Sequence, residues 1–160
     1  MAVVTASGTI VEIGPQVVPS VADTLVEFQA LSGWTPIGEV ESVGEFGDQA
    51  NDVTFSAVGD ARVRHIKGAR DAGVMALVCG HDPQDTGQAA LELAEQTKFQ
   101  FAFRVTLPDS PGAPFTNTIY YFRALVGSRR KNIGNNDNVI RNTYNVLLVS
   151  EVFTAPSVSA

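Results

Sequence analysis

Over residues 98–107 the chain alternates strictly. Phe99, Phe101, Phe103, Val105 and Leu107 share one parity, and Lys98, Gln100, Ala102, Arg104 and Thr106 share the other. Successive strand side chains point to opposite faces, so this stretch predicts a strand with one face in a core and the other in water. Two later runs behave alike. Residues 117–127 set Ile119, Tyr121 and Leu125 against Tyr120, Phe122 and Val126, and residues 139–153 put Tyr144, Val146 and Leu148 on one face. Between them, residues 108–114 are a turn-rich connection. Arg129-Arg130-Lys131 and the Asn-rich stretch through Asn138 read as a polar, basic hairpin loop.

Upstream the pattern is less regular. Residues 34–46 read as a strand with Trp34, Val40 and Phe46 on one face and Glu39, Glu41 and Glu45 on the other. A polar loop follows at 47–59, with Asp48, Asn51 and Asp52 as turn formers. It contains Val53, Phe55 and Val58, apolar residues that are costly to expose unless the loop docks on something or folds back on its own core. Residues 60–69 form a basic strand, with Arg62 and Arg64 on one face and Lys67 and Arg70 following. Gly73 closes the next corner with backbone freedom that other residues lack. The continuous apolar run 74–80 predicts a strand buried on both sides. Asp85 then caps a helix with Gln88 completing a capping box, Ala89, Ala90, Leu93 and Ala94 as its apolar face, and its end near Thr97.

The first 33 residues are the hardest to read. Residues 7–13 suit a strand that Gly14-Pro15 breaks, and 19–31 suit a short strand or a helix. The segment 1–33 is therefore taken as an arm that contacts a neighbouring subunit, and 154–160 as a flexible tail. The fold class expected is mainly β: one domain over residues 1–160, a sandwich or barrel-forming sheet with one flanking helix.

Charge narrows the functional classes. Residues 1–60 hold nine acids and no Lys or Arg, while 61–160 hold eleven bases and eight acids, for a net charge of −6. An isoelectric point near 4.8 argues against gripping nucleic acid by its phosphates. The split itself suggests two complementary surfaces on one subunit, which favour head-to-tail association. No apolar run reaches the roughly 18 residues of a membrane span. The N-terminal residues carry no signal-peptide pattern, and the single cysteine, Cys79, fits a reducing compartment.

The search for chemistry comes back nearly empty. Cys79, His81, Asp82 and Asp85 lie close in sequence, but no second histidine or Cys-x-x-Cys completes a zinc set. Leu77 and Val78 beside Cys79 indicate a buried, inert thiol. Glu39 and Glu41 are spaced like an acid–base pair, without the aromatic platform a sugar would need. No enzyme, metal or cofactor is expected.

Residues 67–73 (Lys-Gly-Ala-Arg-Asp-Ala-Gly), the apolar strand after them, and 82–91 (Asp-Pro-Gln-Asp-Thr-Gly-Gln-Ala-Ala-Leu) resemble the tail tube, or major tail, proteins of bacteriophages with long non-contractile tails. The resemblance covers roughly residues 34–152. It implies a virion structural protein, made in the host cytoplasm, whose hexameric rings stack into a hollow tube. Its implied partners are further copies of itself, the tape-measure protein, the tail tip or initiator and terminator proteins, and genomic DNA passing through the lumen during ejection; no membrane is involved. Residues 44–59 would then reach the adjacent ring through Glu45, Phe46, Asp48, Asp52, Val53 and Phe55. Arg62, Arg64, Lys67, Arg70, Arg129, Arg130 and Lys131 would form the complementary basic surface, and Glu39 and Glu41 would face the lumen. The alternatives are the tube protein of a related secretion or contractile injection machine, and a monomeric β-sandwich binding module.

Overall fold

The computed structural model describes residues 3–17 and 23–159. Strand β1 spans Ile10–Gln16, helix α1 Leu25–Ala30, β2 Thr35–Pro36, β3 Val40–Ser42, β4 Gln49–Ser56 and β5 Val63–Asp71. Then come β6 (Val74–Gly80), α2 (Thr86–Glu95), β7 (Phe101–Thr106), β8 (Ile119–Asn132), β9 (Arg141–Leu148) and β10 (Phe153–Ala155). Strands β2-β1-β7-β8-β9-β6-β3 pair in that order, all antiparallel, and β10 pairs with β8. The mainly β expectation holds, with a second short helix added.

The two ends of that strand order, β2 and β3, are consecutive in the chain. Four residue steps separate Pro36 from Val40, a reach of at most about 14 Å. The sheet must therefore curl until its edges almost meet. The link stitches the gap: Ile37 N donates to Val11 O of β1 (2.9 Å), and Glu39 O accepts from Gly80 N of β6 (2.8 Å). This explains why residues 34–46 are not one strand. The chain has to leave one edge and start the other, and Glu39 adopts a left-handed backbone (φ 56°) to do so. The parity that grouped Glu39, Glu41 and Glu45 on one face is lost.

Side chains from five strands meet inside the curl. Val11, Ile13, Phe103, Val105, Phe122, Ala124, Tyr144, Val146, Met75, Leu77 and Cys79 are all buried in one cluster. Phe103 and Phe122 stack there at 5.7 Å. Helix α2 closes the gap from outside. Asp85 is its N-cap, accepting from Gln88 N (2.9 Å) and also from Gly38 N of the link (3.0 Å). The Gln88 side chain does not return to the cap; its Nε2 donates to Gly38 O and Gly80 O, tying the link and the end of β6 to the helix. Gly87 lies against Pro36, so Gly87, Gln88, Leu91 and Ala94 face inward; of the expected face Ala94 and Ala90 reach the core, while Ala89 and Leu93 are exposed. Removing the Asp85 cap by Asp85→Ala is expected to cost about 1 kcal/mol or somewhat more, since the Gly38 bond goes with it; a urea melt reads the loss.

Other expectations are corrected in the same frame. Strand β6 buries only Met75, Leu77 and Cys79, while Val74 and Ala76 face out, so it is not covered on both sides. The second face of β7 is only partly wet. Ala102 and Tyr121 are buried beneath α1, where Phe28 packs 6.1 Å from Tyr121 and 5.5 Å from Phe153. Arg104 lies over the Trp34 ring and pairs with Glu12. Gly14-Pro15 does not end β1; the register shifts there and the strand continues. Residues 10–16 and 25–30 are thus woven into their own subunit, while 18–22 lie outside the described residues. The expected C-terminal tail is held too: β10 pairs with β8, and Ser159 bridges to Phe115.

Burial, reinforced by the Asp85 carboxylate, pushes the Cys79 thiol from 9.0 up to about 12, and burial raises Tyr144 to about 12. Both folded groups prefer the neutral form. Their contribution to stability is complete below about pH 9 and is lost as pH climbs toward 12. Cys79 should therefore resist alkylation in the native protein near neutral pH and react fully in denaturant.

Candidate assembly surfaces

Strands β4 and β5 form a separate two-stranded sheet. The stretch expected as a polar loop is thus a β-hairpin arm, about 27 Å long at strand rise. Opposed residues share a face, and the register pairs Val53 with Ile66 and Phe55 with Arg64. Between them, Asp52 opposes Lys67 and Thr54 opposes His65. One face of the arm is therefore apolar and the other charged. The apolar stripe is not covered: Val53, Phe55 and Ile66 are 49%, 54% and 57% exposed. A two-stranded ribbon with both faces in water is marginal by itself, and this one carries an apolar stripe without a mate.

The predicted contact residues separate accordingly. Val53 and Phe55 lie on the stripe. Asp52 pairs with His65 across the arm (2.7 Å), and Asp48 pairs with Arg70 at its root (3.1 Å). Glu45 is exposed in the unpaired segment before β4. Phe46 serves another purpose. Its ring packs 5.5 Å from Tyr120 and 5.6 Å from Phe122, anchoring the arm's base to the core.

The basic residues fall on two elements. Arg62, Arg64, Lys67 and Arg70 belong to the arm and its tip, with Arg64 paired to Asp60 (2.9 Å). Arg129, Arg130 and Lys131 lie within β8 rather than in a loop, opposite Tyr144, Thr143 and Asn142. Arg129 pairs with Glu92 of α2 (3.0 Å), and Lys131 Nζ approaches His81 Nδ1 (3.5 Å). Asn142 also opposes Cys79, whereas the arm springs from the Val74 end of β6. The two basic groups thus sit at opposite ends of that strand, some 20 Å apart.

Five of the nine N-terminal acids form ion pairs inside the chain, Glu12–Arg104, Asp23–Arg123, Glu41–Arg141, Asp48–Arg70 and Asp60–Arg64, and a sixth, Asp52, is hydrogen-bonded to His65. The charge split of the sequence therefore mostly records one half of the fold pairing with the other. Glu41 is bound to Arg141, and Glu39 lies in the link between sheet edges, so the two proposed lumen residues do not share a strand face.

A second unsatisfied surface was not legible in the sequence. Strand β8 pairs with β7 on one edge only as far as Ala124, while β9 occupies its other edge to Asn132. Beyond Ala124 no strand among the described residues pairs with the first edge. Helix α2 packs against β8 here, with Glu92 on Arg129, so the exposed end of the strand, Arg130 to Asn132, is what remains as a template for another chain.

Comparisons with known proteins bear on the fold and the family. A family model described as "Phage tail tube protein, TTP" matches residues 14–152. A sequence search of curated proteins gives no match. Among solved structures, a chain of the anti-feeding prophage baseplate superposes with a TM-score of 0.70 at 10% identity, covering 98% of both chains. The SPP1 tail tube gives 0.62 at 11% identity, over 92% of this chain and 76% of that one. A chain from the sheath/tube terminator structure of the PVC extracellular contractile injection system gives 0.63 at 11% identity, over 97% and 98%. At these identities the likenesses carry the fold, and the family match carries the membership. The chain belongs to the phage tail tube protein family and is a structural component of the virion tail.

Proposed function

We propose that this subunit forms hexameric rings that stack into a hollow tube through which the genome passes, in a tail of the non-contractile type. The observation that carries this reading is the pairing of two incomplete surfaces on one chain. The open edge of β8 invites lateral strand pairing, which removes edges when a ring closes. The arm, rooted at one end of β6, offers an apolar stripe to a subunit above or below.

In this reading the bore is lined by the outer face of β6, β9 and β8. Ala76, Ser128, Thr143 and Asn145 lie there, with the Glu41–Arg141 pair at its margin. Arg130, opposite Thr143, and the apolar Val78, Leu125 and Leu147 share that face, so it carries few cations and gives DNA phosphates little counterion-release gain. The partners are copies of this chain, a tape-measure protein in the bore, tip or initiator proteins at one end and a terminator at the other.

A second reading, a tube inside a contractile injection machine, draws on the fold shared with such systems. It predicts sheath subunits binding the outer surface of the assembled tube. Negative-stain microscopy with sedimentation velocity tests the main reading. Rings with six-fold end views and concentration-dependent tubes are expected; a subunit that stays monomeric at high concentration, with its arm ordered, favours a binding module instead.

A further inference from the structure

The two helices are held to the sheet in different ways. Helix α2 is ten residues long and buries Gly87, Gln88, Leu91 and Ala94, with Asp85 and Gln88 bonded across to the link. Helix α1 has six residues, too few to be stable by itself. Phe28 is its one buried side chain, and Val26 is 74% exposed. Beneath it lie Ala102, Tyr121 and Phe153, with polar side chains around them on the same face of the sheet.

That polar layer is poorly mated. Seven buried side-chain nitrogen and oxygen atoms have no hydrogen-bond partner among the described residues. Five of them are here: Glu27 Oε2, Gln100 Oε1, Arg104 Nε, and Nε and Nη1 of Arg123. The other two, Asn142 Oδ1 and Tyr144 Oη, belong to β9. Gln100, Ala102 and Arg104 alternate onto one face, and Arg123 stands opposite Ala102. Arg123 is largely buried, yet only its Nη2 is paired, with Asp23 at 3.1 Å. A buried ion pair repays its desolvation only when its remaining donors are bonded as well. Each stranded group regains a water partner once the layer opens.

We propose that residues 23–31 are a strap that opens as a unit, ahead of the sheet and of α2, and uncovers a ledge formed by Ala102, Tyr121 and Phe153. The Phe28 ring, 6.1 Å from Tyr121 and 5.5 Å from Phe153, holds the strap shut. The unmated charges beneath it favour the open state. Strand β10 stays paired with β8 throughout, so the ledge is presented on an intact sheet. The inference stands on the packing of the single subunit and does not depend on the tube reading.

Hydrogen exchange on the full chain, followed by mass spectrometry at low denaturant, tests this directly. Residues 25–31 should exchange at least about a hundredfold faster than 86–95 and 101–106, with little dependence on denaturant. Asp23→Leu combined with Arg123→Met removes the ion pair while keeping apolar bulk, and should slow exchange in the strap about tenfold. Phe28→Ala should speed it. Strap residues that exchange only as the whole sheet unfolds would overturn the proposal, because no separate unit then exists. A double variant whose strap exchanges faster would overturn it too, by showing that the charges hold the helix down. Should that variant fail to fold, the comparison within the parent chain decides by itself.

Discussion

Val53→Asp combined with Phe55→Asp is expected to give a subunit that folds normally and forms no tubes. Both side chains lie on the uncovered stripe, about half exposed, so the monomer loses little burial when they change. Its melting temperature should move by no more than a few degrees. Assembly is a different matter. Apolar anchors at the centre of an interface are worth about 2 kcal/mol or more each, and a carboxylate forced into the same site adds a desolvation cost. A combined loss of about 4 kcal/mol per contact weakens each union roughly a thousandfold. Because every subunit repeats the contact, stacking should fail outright. Circular dichroism checks the fold and sedimentation checks the assembly. A variant that assembles as well as the parent would show that the stripe is not a contact.

Gly87→Val should be the most destabilising single change outside the core strands. A Cβ at this position would lie 2.3 Å from Pro36 O and 2.5 Å from Ile37 Cα, and both neighbours are backbone. Helix α2 would have to lift away from the link that closes the sheet. With it would go the Asp85–Gly38 bond and the Gln88 bonds to Gly38 O and Gly80 O, leaving those groups unsatisfied. Overpacking and lost buried hydrogen bonds together put the cost on the order of 3–5 kcal/mol. For a chain of this size that corresponds to a drop of roughly 10 °C in melting temperature. Leu93→Val, on the exposed face of the same helix, should change it far less. Equal losses at both positions would mean that α2 is not seated through Gly87.

These two sites also show what the sequence could and could not reveal. Gly87 lay inside a helix legible from Asp85 and Gln88, because a cap is a local device that needs only four residues. The alternation at 101–106 and at Tyr144, Val146 and Leu148 was legible for the same reason: each strand has a fully buried face. The arm was not. Its strands have no buried face in the monomer, so Asp48, Asn51 and Asp52 read as turn formers although β4 runs through two of them. The break at Glu39 was invisible because it serves topology, carrying the chain between sheet edges, and no local rule encodes that. Ala102 looked like a solvent position because the helix covering it comes from a stretch with weak periodicity. The charge split was read as two docking surfaces. It is chiefly the trace of long-range ion pairs such as Glu12–Arg104 and Asp23–Arg123, which only the fold brings together.

The central claim is that this subunit builds a tube through its own incomplete surfaces, with the arm spanning from one ring to the next. Cryo-electron microscopy of filaments grown from the purified chain tests it most directly. The account predicts a hollow tube of stacked six-fold rings, strand pairing along β8 within each ring, and arm density lying against a subunit of the adjacent ring. Rings that stack with each arm folded onto its own subunit, or a chain that forms no filaments at any concentration, would contradict it.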